Sequence, residues 1–193
     1  MKLLLIRHGE TDWNRLKLLQ CVHDTTLTET GIEQARAAAE KLRAVPIDAA
    51  FVSPLKRTRM TCDILLEGRN VPVFYDKRFR EREFGVAEGM PIAEVDLSDS
   101  WEYGQKPKYE GMESIEEFRG RIDAGLDEIY AAYPDSTVLL VTHDGVSVAV
   151  GFYFLGPPKS GSRGEYYLSN CVIREYVKNP PEREVFIKGP PSS

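Results

Sequence analysis

Four short apolar runs constrain the fold of this chain more than any other feature, because each has the length of a strand. They occupy residues 3–6, 49–52, 71–75 and 138–141. A strand buried on both faces of a sheet loses the polar alternation of a surface strand, and these runs are apolar almost throughout. The sequence therefore predicts four buried strands.

Helical patterns lie between and after these runs, with apolar residues three and four positions apart. The predicted helices cover residues 32–42, 54–67, 115–133 and 146–155. Side chains typical of helix boundaries accompany them. These signals are Thr30-x-x-Glu33, Ser53-Pro54, Ser114-x-x-Glu117 and Gly156-Pro157-Pro158.

Strands that alternate with helices predict an α/β fold of three layers, with helices on both faces of a mostly parallel central sheet. Residues 166–177 are rich in aromatic and β-branched side chains and predict one further strand. Residues 86–110 carry little regular pattern, which is typical of a small cap segment over a site. We expect a single domain over residues 1–178 and a loose, proline-rich tail over residues 179–193.

Composition and charge exclude several classes of function. The 193 residues include 25 Lys+Arg and 30 Asp+Glu, and the net charge of −5 disfavours general binding to nucleic acid. Cys21, Cys62 and Cys171 are far apart with no C-x-x-C pair, which indicates free thiols in a reducing compartment. The N-terminal apolar run is cut short by Arg7, and residues 146–155 are too few to span a bilayer. We expect a cytoplasmic protein without a membrane or nucleic-acid partner.

Polar and basic residues directly follow three of the four apolar runs. Arg7 and His8 follow the first run, Ser53 the second and His143 the fourth. Ligands of a doubly wound sheet bind beyond the carboxyl ends of its strands, so these residues should converge on one edge. Arg57 comes one helical turn after Ser53 and is expected at the same edge. Two arginines and two histidines there would form a local positive pocket that suits a phosphate.

Ordered sequence motifs from residue 3 to about residue 177 resemble those of the histidine phosphatase superfamily, also called phosphoglycerate mutase-like. A lone R-H-G would be weak evidence, whereas several blocks in this order and spacing are specific. The blocks are LIRHGETDWN at 5–14, LTETGIEQA at 27–35, SPLKRT at 53–58, EREFG at 81–85, EG at 88–89, GMES at 111–114, VTH at 141–143, and Asn170.

The resemblance implies a phosphoric monoester hydrolase of the phosphatase branch that forms a phosphohistidine at His8. It implies that Arg7, Arg57 and His143 hold the phosphoryl oxygens and their charge. It also implies that Glu81 protonates the leaving oxygen and then activates water. Composition alone does not distinguish Glu81 from the acids at positions 83 and 88; the motif at residues 81–85 does.

The same resemblance implies a wider set of residues that bind the phosphate or the substrate. These residues are Asn14, Gln20, Cys21, Arg82 and Asp144. Three positions depart from the family pattern: Cys21 stands where Gly often follows the Gln, Ala87 where an aromatic is frequent, and Asp144 where Gly or Asn is common. None removes a catalytic group, and each is expected to adjust the fit of the substrate.

Three alternatives to the phosphatase remain open. A cofactor-dependent phosphoglycerate mutase would carry a longer insertion after the acid block than residues 86–110 provide. A non-catalytic relative that binds a phosphorylated ligand would lose the nucleophile or the acid. A metallohydrolase would use His8, His23, Asp24 and His143, which lack short ligand spacing. We expect no cofactor and no metal.

The substrate is expected to be a small phosphorylated metabolite whose identity the sequence does not specify. Four residues of the presumed cap are candidates for recognising a second anionic group or a ring: Trp101, Tyr103, Lys106 and Lys108. Sugar phosphates, phosphoglycerates, phosphoserine and α-ribazole phosphate all fit this description. The oligomeric state is not predicted.

Overall fold

A computed structural model of the protein describes residues 1–98, 100–157 and 163–177. Within these residues, five strands form one sheet in the order β3-β2-β4-β1-β5. The strands are β1 Lys2–Arg7, β2 Ala49–Val52, β3 Val73–Tyr75, β4 Thr137–Thr142 and β5 Ile173–Tyr176. Strands β1 to β4 pair in parallel, and only β5 runs antiparallel, against β1. The predicted, mostly parallel sheet is therefore confirmed.

Helices pack on both faces of the sheet. They are α2 Glu29–Leu42 and α3 Lys56–Leu65 on one face, and α4 Ile115–Ala132 and α5 Asp144–Leu155 on the other. The single-turn helix α1 Asp12–Arg15 buries none of its residues. Leu3 and Leu5 belong to the core cluster that contains α4 and α5, whereas Leu4 and Ile6 belong to the cluster that contains α2. Successive residues of a strand point to opposite faces, so one uninterrupted apolar run supplies both cores. This arrangement confirms the three-layer α/β fold.

Residues 71–75 contain a strand, as predicted, but the prediction that this strand is buried is wrong. Strand β3 covers only Val73–Tyr75, and its three side chains are exposed. β3 lies at the edge of the sheet, where it pairs with β2 alone. An edge strand can carry apolar side chains that no helix covers, and the composition of such a run does not reveal its position in the sheet.

The N-terminal caps of two helices differ from those predicted. Helix α2 begins one turn early, because Thr28, not Thr30, is its N-cap and accepts from Gly31 N at 3.0 Å. Helix α3 begins after Leu55 with no side-chain cap, because the Ser53 hydroxyl is engaged elsewhere. The capping box at Ser114 is confirmed, since Ser114 and Glu117 exchange bonds between side chain and backbone.

The cap segment at residues 86–110 contains turns and two short 3-10 stretches rather than long helices or strands. The stretches are Gly85–Ala87 and Ile92–Glu94. The segment contributes Ala87 and Val95 to a small core that it shares with Leu19, Cys21, Phe84 and Met112. This core joins the cap to the loop that follows α1.

Residue 158, at the predicted end of the last helix, and the predicted tail over residues 179–193 lie outside the described residues. The predicted further strand within residues 166–177 is present as β5. In the part of the chain that the structure describes, no helix has the length and apolar character needed to cross a bilayer.

Candidate active site

The carboxyl ends of β1, β2 and β4 meet at one edge of the sheet and bring the two sequence-predicted histidines together. His8 N donates to Thr142 O at 3.0 Å, and Ser53 N donates to Val141 O at 3.0 Å. The imidazole rings of His8 and His143 lie 5.3 Å apart, edge to face. The convergence expected from the three apolar runs is therefore what the structure shows.

The ring of His8 is fixed in a single orientation. Its Nδ1 lies 2.8 Å from the carbonyl oxygen of Gly9. A carbonyl oxygen only accepts, so Nδ1 carries the proton and Nε2 of the neutral ring keeps its lone pair. Burial and the nearby charges of Arg57 and Arg7 hold the pKa of His8 well below its ordinary value. His8 is thus a neutral imidazole with a nucleophilic Nε2.

Gly9 makes this close-packed turn possible. A side-chain carbon at Gly9 would lie 2.4 Å from the carbonyl oxygen of Gly31, in the first turn of α2. Gly9 N donates to the hydroxyl of Thr61 at 3.0 Å, which ties the turn to α3. The glycine of the R-H-G motif is required because two backbones touch there.

His143 is fully buried at the start of α5. Its Nε2 lies 2.8 Å from the Ser53 hydroxyl oxygen. Its Nδ1 is buried without a hydrogen-bond partner among the described residues. Burial, followed by the charges of Arg57, His8 and Arg7, lowers the pKa of His143 well below its ordinary value. A hydroxyl of Ser53 that donates to Nε2 leaves a proton on Nδ1, available to a ligand oxygen.

The Arg57 guanidinium is completely buried and is held from one side by a loop. Its Nη2 donates to Cys21 O at 2.6 Å and its Nη1 donates to His23 O at 3.0 Å. Burial lowers its pKa to about 10, and Glu81 and Asp24 oppose that shift. The side chain therefore stays cationic at neutral pH, and its buried Nε has no partner among the described residues.

Arg7 is anchored in a similar way on the other side of the site. Its Nη1 donates to Leu168 O at 2.9 Å and lies 3.4 Å from an oxygen of Asp144. Its Nε is buried without a partner among the described residues. Arg7 and Arg57 therefore both have fixed planes and donors left over for an anion.

Glu81 lies at the amino end of α5, beside His143. One carboxylate oxygen accepts from Arg82 N at 2.9 Å, and the other accepts from Gly145 N at 3.0 Å. Burial raises the pKa of Glu81 above its ordinary value, although the two backbone N–H groups act in the opposite direction. A carboxyl group that holds its proton longer than usual suits a general acid.

Asn14 and Gln20 form the polar wall between α1 and the loop at residues 20–25. The Asn14 amide accepts from Asn170 Nδ2 at 3.3 Å and donates to Gln20 Oε1 at 3.4 Å. Asn170 also donates to His8 O at 2.8 Å, which joins this wall to the R-H-G turn. Gln20 donates in turn to the Thr25 hydroxyl.

Cys21 contributes to the site through its backbone, since its carbonyl oxygen accepts from Arg57. Its side chain is buried in the core of the cap segment, and burial raises the pKa of its thiol. The Cβ and sulfur that replace the usual glycine therefore pack against the cap.

Arg82 and Asp144, predicted to bind the phosphate or the substrate, both have hydrogen-bond partners within the protein. Arg82 is 2% exposed and donates from Nε and Nη2 to Glu113 O, and from Nη1 to Ser100 O. Asp144 accepts from Leu168 N at 3.0 Å and pairs with Arg7. These contacts let Arg82 anchor the cap and Asp144 orient Arg7, and the assignment of both residues to the substrate stays a prediction.

Three of the four cap residues proposed for substrate recognition have partners within the cap or on α4. Lys108 donates to Asp96 at 2.7 Å and to the Ser98 hydroxyl at 2.5 Å. The Trp101 ring packs edge to face on Phe118, and Tyr103 lies under the Arg119 guanidinium. Lys106 is exposed.

The four residues of the metallohydrolase alternative do not form one cluster: His8 and His143 meet, but the His23 and Asp24 side chains bind elsewhere. The His23 ring stacks on Trp13 at 4.7 Å, and the Asp24 carboxylate accepts from Lys56 N at 2.5 Å. Across residues 1–98, 100–157 and 163–177, no group of three or more His, Cys, Asp or Glu side chains is arranged to hold a metal ion.

Sequence reasoning missed the role of Glu88. One of its carboxylate oxygens accepts from Cys21 N at 2.9 Å and from His23 N at 2.7 Å. The carbonyl oxygens of Cys21 and His23 accept from Arg57, so Glu88 holds the loop that in turn holds the Arg57 guanidinium. Its only sequence signal was its place in the EG block, which does not indicate where the side chain lies.

Comparison with known proteins shows the family of the chain. The sequence profile described as "Histidine phosphatase superfamily (branch 1)" matches residues 3–183. The chain is 39% identical over 139 residues to the uncharacterized phosphatase PhoE of Bacillus subtilis, an alignment that covers 72% of this chain and 69% of that protein. It is 32% identical over 149 residues to phosphoserine phosphatase 1 of Hydrogenobacter thermophilus, covering 74% and 71%.

Mutase-like relatives and solved phosphatase structures are also similar to the chain. The probable phosphoglycerate mutase GpmB of Proteus mirabilis is 32% identical over 193 residues, covering 93% of this chain and 87% of that protein. The crystal structure of the α-ribazole phosphatase from Shigella flexneri superimposes with a TM-score of 0.79 at 26% identity, covering 93% and 91%. The chain belongs to the histidine phosphatase superfamily, branch 1.

Proposed function

We propose that the protein is a metal-independent phosphatase that hydrolyses small phosphate monoesters through a phosphohistidine at His8. The observation that carries this proposal is the fixed tautomer of His8, which leaves Nε2 unprotonated beside two buried arginines. Relatives named as phosphatases support the same reaction class.

In the first step, Nε2 of His8 attacks phosphorus, and the bond between phosphorus and the ester oxygen breaks. Glu81 gives its proton to the leaving oxygen, which departs as an alcohol. In the second step, the Glu81 carboxylate takes a proton from water while the water oxygen attacks phosphorus. The bond between His8 and phosphorus breaks, phosphate leaves, and both side chains return to their starting states.

The positive groups of the site stabilise the charge on the transferring phosphoryl oxygens. Arg7 and Arg57 offer guanidinium donors in fixed planes, and His143 offers Nδ1. Such groups need no reorganisation when charge develops, which makes them effective in a buried site. Asn14 and Gln20 line the same side and complete the binding set.

Hydrolysis is favoured over phosphoglycerate mutase activity by the length and packing of the cap. Residues 86–110 form a short segment that shares a small core with the loop after α1, rather than a long insertion. Arg82, the basic residue next to Glu81, is used to anchor that segment and is not free to clamp a second phosphate. A non-catalytic relative is disfavoured because His8 and Glu81 both have geometries suited to their steps.

The proposed substrate is a small phosphorylated metabolite, and the proposed location is the cytoplasm. The three cysteines are buried and unpaired, as expected for a reducing compartment. The acidic net charge disfavours a nucleic-acid partner.

The test is hydrolysis of p-nitrophenyl phosphate in excess EDTA, with H8A as the blank. We expect phosphate release at the same rate with and without EDTA, whereas a strict need for magnesium would contradict the metal-independent mechanism. A screen of small phosphomonoesters then identifies the substrate. Isomerisation of phosphoglycerate that requires 2,3-bisphosphoglycerate and outpaces hydrolysis would establish the mutase instead.

A further inference from the structure

Glu81 lies on irregular backbone, and one arginine from α4 holds that backbone. Residues 80–83 belong to no helix or strand, so no ladder of hydrogen bonds fixes their path. Arg121 Nη1 donates to the carbonyl oxygens of Arg78 and, at 2.8 Å, of Arg80. Its Nη2 donates to the carbonyl oxygen of Glu81 itself at 3.0 Å. Three main-chain carbonyls on this segment therefore converge on one guanidinium.

The two remaining donors of Arg121 bind a single carboxylate in fork geometry. Nε lies 2.6 Å from one oxygen of Glu113, and Nη2 lies 2.9 Å from the other. The five N–H groups of Arg121 thus have five acceptors. Both side chains are largely buried, with 20% and 14% exposed.

Glu113 also binds the backbone of this segment at Glu83, on the C-terminal side of Glu81. Its backbone N donates to Glu83 O at 2.9 Å, and its carboxylate accepts from Glu83 N at 3.4 Å. The carbonyl oxygen of Glu113 accepts two bonds from Arg82. Arg121 and Glu113 together therefore hold the backbone on both sides of the acid while leaving its carboxyl group untouched.

We propose that Arg121 and Glu113 are positioning residues that set the position and orientation of the Glu81 carboxyl group for proton transfer. This inference rests on the proposed function, in which Glu81 is the general acid. A proton donor must come within hydrogen-bond distance of the leaving oxygen, so an error of about 1 Å in its backbone costs much of the ~10²–10⁴-fold that such an acid supplies.

Lysine cannot replace Arg121 in this role. An ammonium has three donors at one point, whereas Arg121 spans three carbonyls and both oxygens of a carboxylate with a planar fork. Arg121→Lys therefore keeps the positive charge and the helix but loses the geometry. This variant separates positioning from electrostatics.

The experiment compares the kcat/KM values of two phosphomonoesters that differ in how much protonation the leaving oxygen needs. An aryl phosphate such as p-nitrophenyl phosphate leaves as a stable anion, whereas an alkyl phosphate such as phosphoserine needs the acid. We expect Arg121→Lys to lower kcat/KM on the alkyl ester about tenfold more than on the aryl ester, as a displaced general acid would. Glu113→Gln should act in the same direction.

The pH profile supplies a second readout. A displaced Glu81 gains contact with water and loses the burial that raises its pKa. The basic limb of kcat/KM on the alkyl ester should therefore move to lower pH in Arg121→Lys. A residue that only stabilised the fold would leave the limb where it is.

Arg78→Lys is the matched control, because Arg78 lies on the same segment and also makes several side-chain bonds. Its guanidinium binds Asp76 and Glu128 and does not contact Glu81. We expect a change in melting temperature without the selective loss on the alkyl ester. Equal losses on both esters in Arg121→Lys, or no loss on either, would overturn the inference.

Glu81→Gln distinguishes failure of the positioning role of Arg121 from failure of the proposed function. If Glu81→Gln shows the alkyl-selective loss and Arg121→Lys does not, positioning by Arg121 is refuted and the proposed function stands. If Glu81→Gln itself loses nothing on the alkyl ester, Glu81 is not the acid and the proposed mechanism fails with the inference.

Discussion

Replacing Gly145 with alanine should remove the acid function of Glu81 without unfolding the protein. Gly145 lies in the first turn of α5, and an added Cβ would lie 2.4 Å from one carboxylate oxygen of Glu81. The obstructing atom is the end of a flexible side chain rather than backbone. The carboxylate would therefore be pushed away from its bond to Gly145 N, which measures 3.0 Å.

The expected effects on stability and activity differ in size. Alanine gains about 0.5–1 kcal/mol over glycine inside a helix. Loss of one hydrogen bond to a charged group costs about 1.5–3 kcal/mol. The net loss of about 0.5–2.5 kcal/mol corresponds to a fall of no more than about 10 °C in Tm for a chain of this size. Loss of general acid catalysis lowers kcat/KM by about 10²-fold or more.

The assay measures kcat/KM on an alkyl phosphate together with thermal unfolding followed by circular dichroism. The control is Gly120→Ala in α4, where an added Cβ meets no atom within 4 Å. This control should gain stability and keep full activity. A folded Gly145→Ala variant with full activity on the alkyl phosphate would refute the assignment of Glu81 as the acid.

Three further outcomes follow from the geometry. Glu88→Ala should lower kcat/KM about tenfold on every phosphomonoester, because loss of two bonds to a charged group loosens the loop that holds Arg57. Glu88→Gln keeps an acceptor oxygen and should restore most of the lost activity. A loss confined to alkyl esters would contradict this role of Glu88. The pKa values of His8 and His143 lie below 6.5 in the folded state, so the unfolded state binds more protons as the pH falls through 6.5, and stability should drop there. Thermal melts from pH 8 to pH 5 check this, and an unchanged slope in His8→Gln and His143→Gln would speak against it. Lys108→Ala should leave KM unchanged on all substrates, since the ammonium binds Asp96 and Ser98, and a raised KM for an anionic substrate alone would show that it contacts the ligand.

The order of strands and helices was predictable because the apolar runs are long and nearly uninterrupted. Runs of that kind form buried strands, and β1, β2 and β4 are fully consistent with this. The exposure of β3 was not predictable, since an apolar run reads the same at the edge of a sheet as at its centre. The prediction that Ser53 caps α3 was wrong because its hydroxyl binds His143, and a local sequence pattern does not show a distant partner.

The location of the nucleophile and its positive neighbours was predictable, because these residues directly follow the apolar runs. Their roles came from the resemblance to the family motifs. The sequence did not reveal the contacts of Arg82 with the cap, because Arg82 follows Glu81 directly in the motif. The Glu81 carboxylate accepts from Gly145 in α5, whereas the Arg82 guanidinium donates to the carbonyl oxygens of Ser100 and Glu113. Arg121 had no signal at all, since it acts on main-chain carbonyls about forty residues away.

The most direct test of the proposed mechanism is to trap the phosphoenzyme. Rapid mixing with a radiolabelled phosphomonoester, quenching in alkali and peptide mapping should place the label on the peptide that contains His8. Alkali preserves phosphohistidine. The label should accumulate in Glu81→Gln with an aryl ester, because hydrolysis of the intermediate slows, and it should be absent in His8→Asn. A label on another side chain, or full turnover by His8→Asn, would contradict the proposed mechanism.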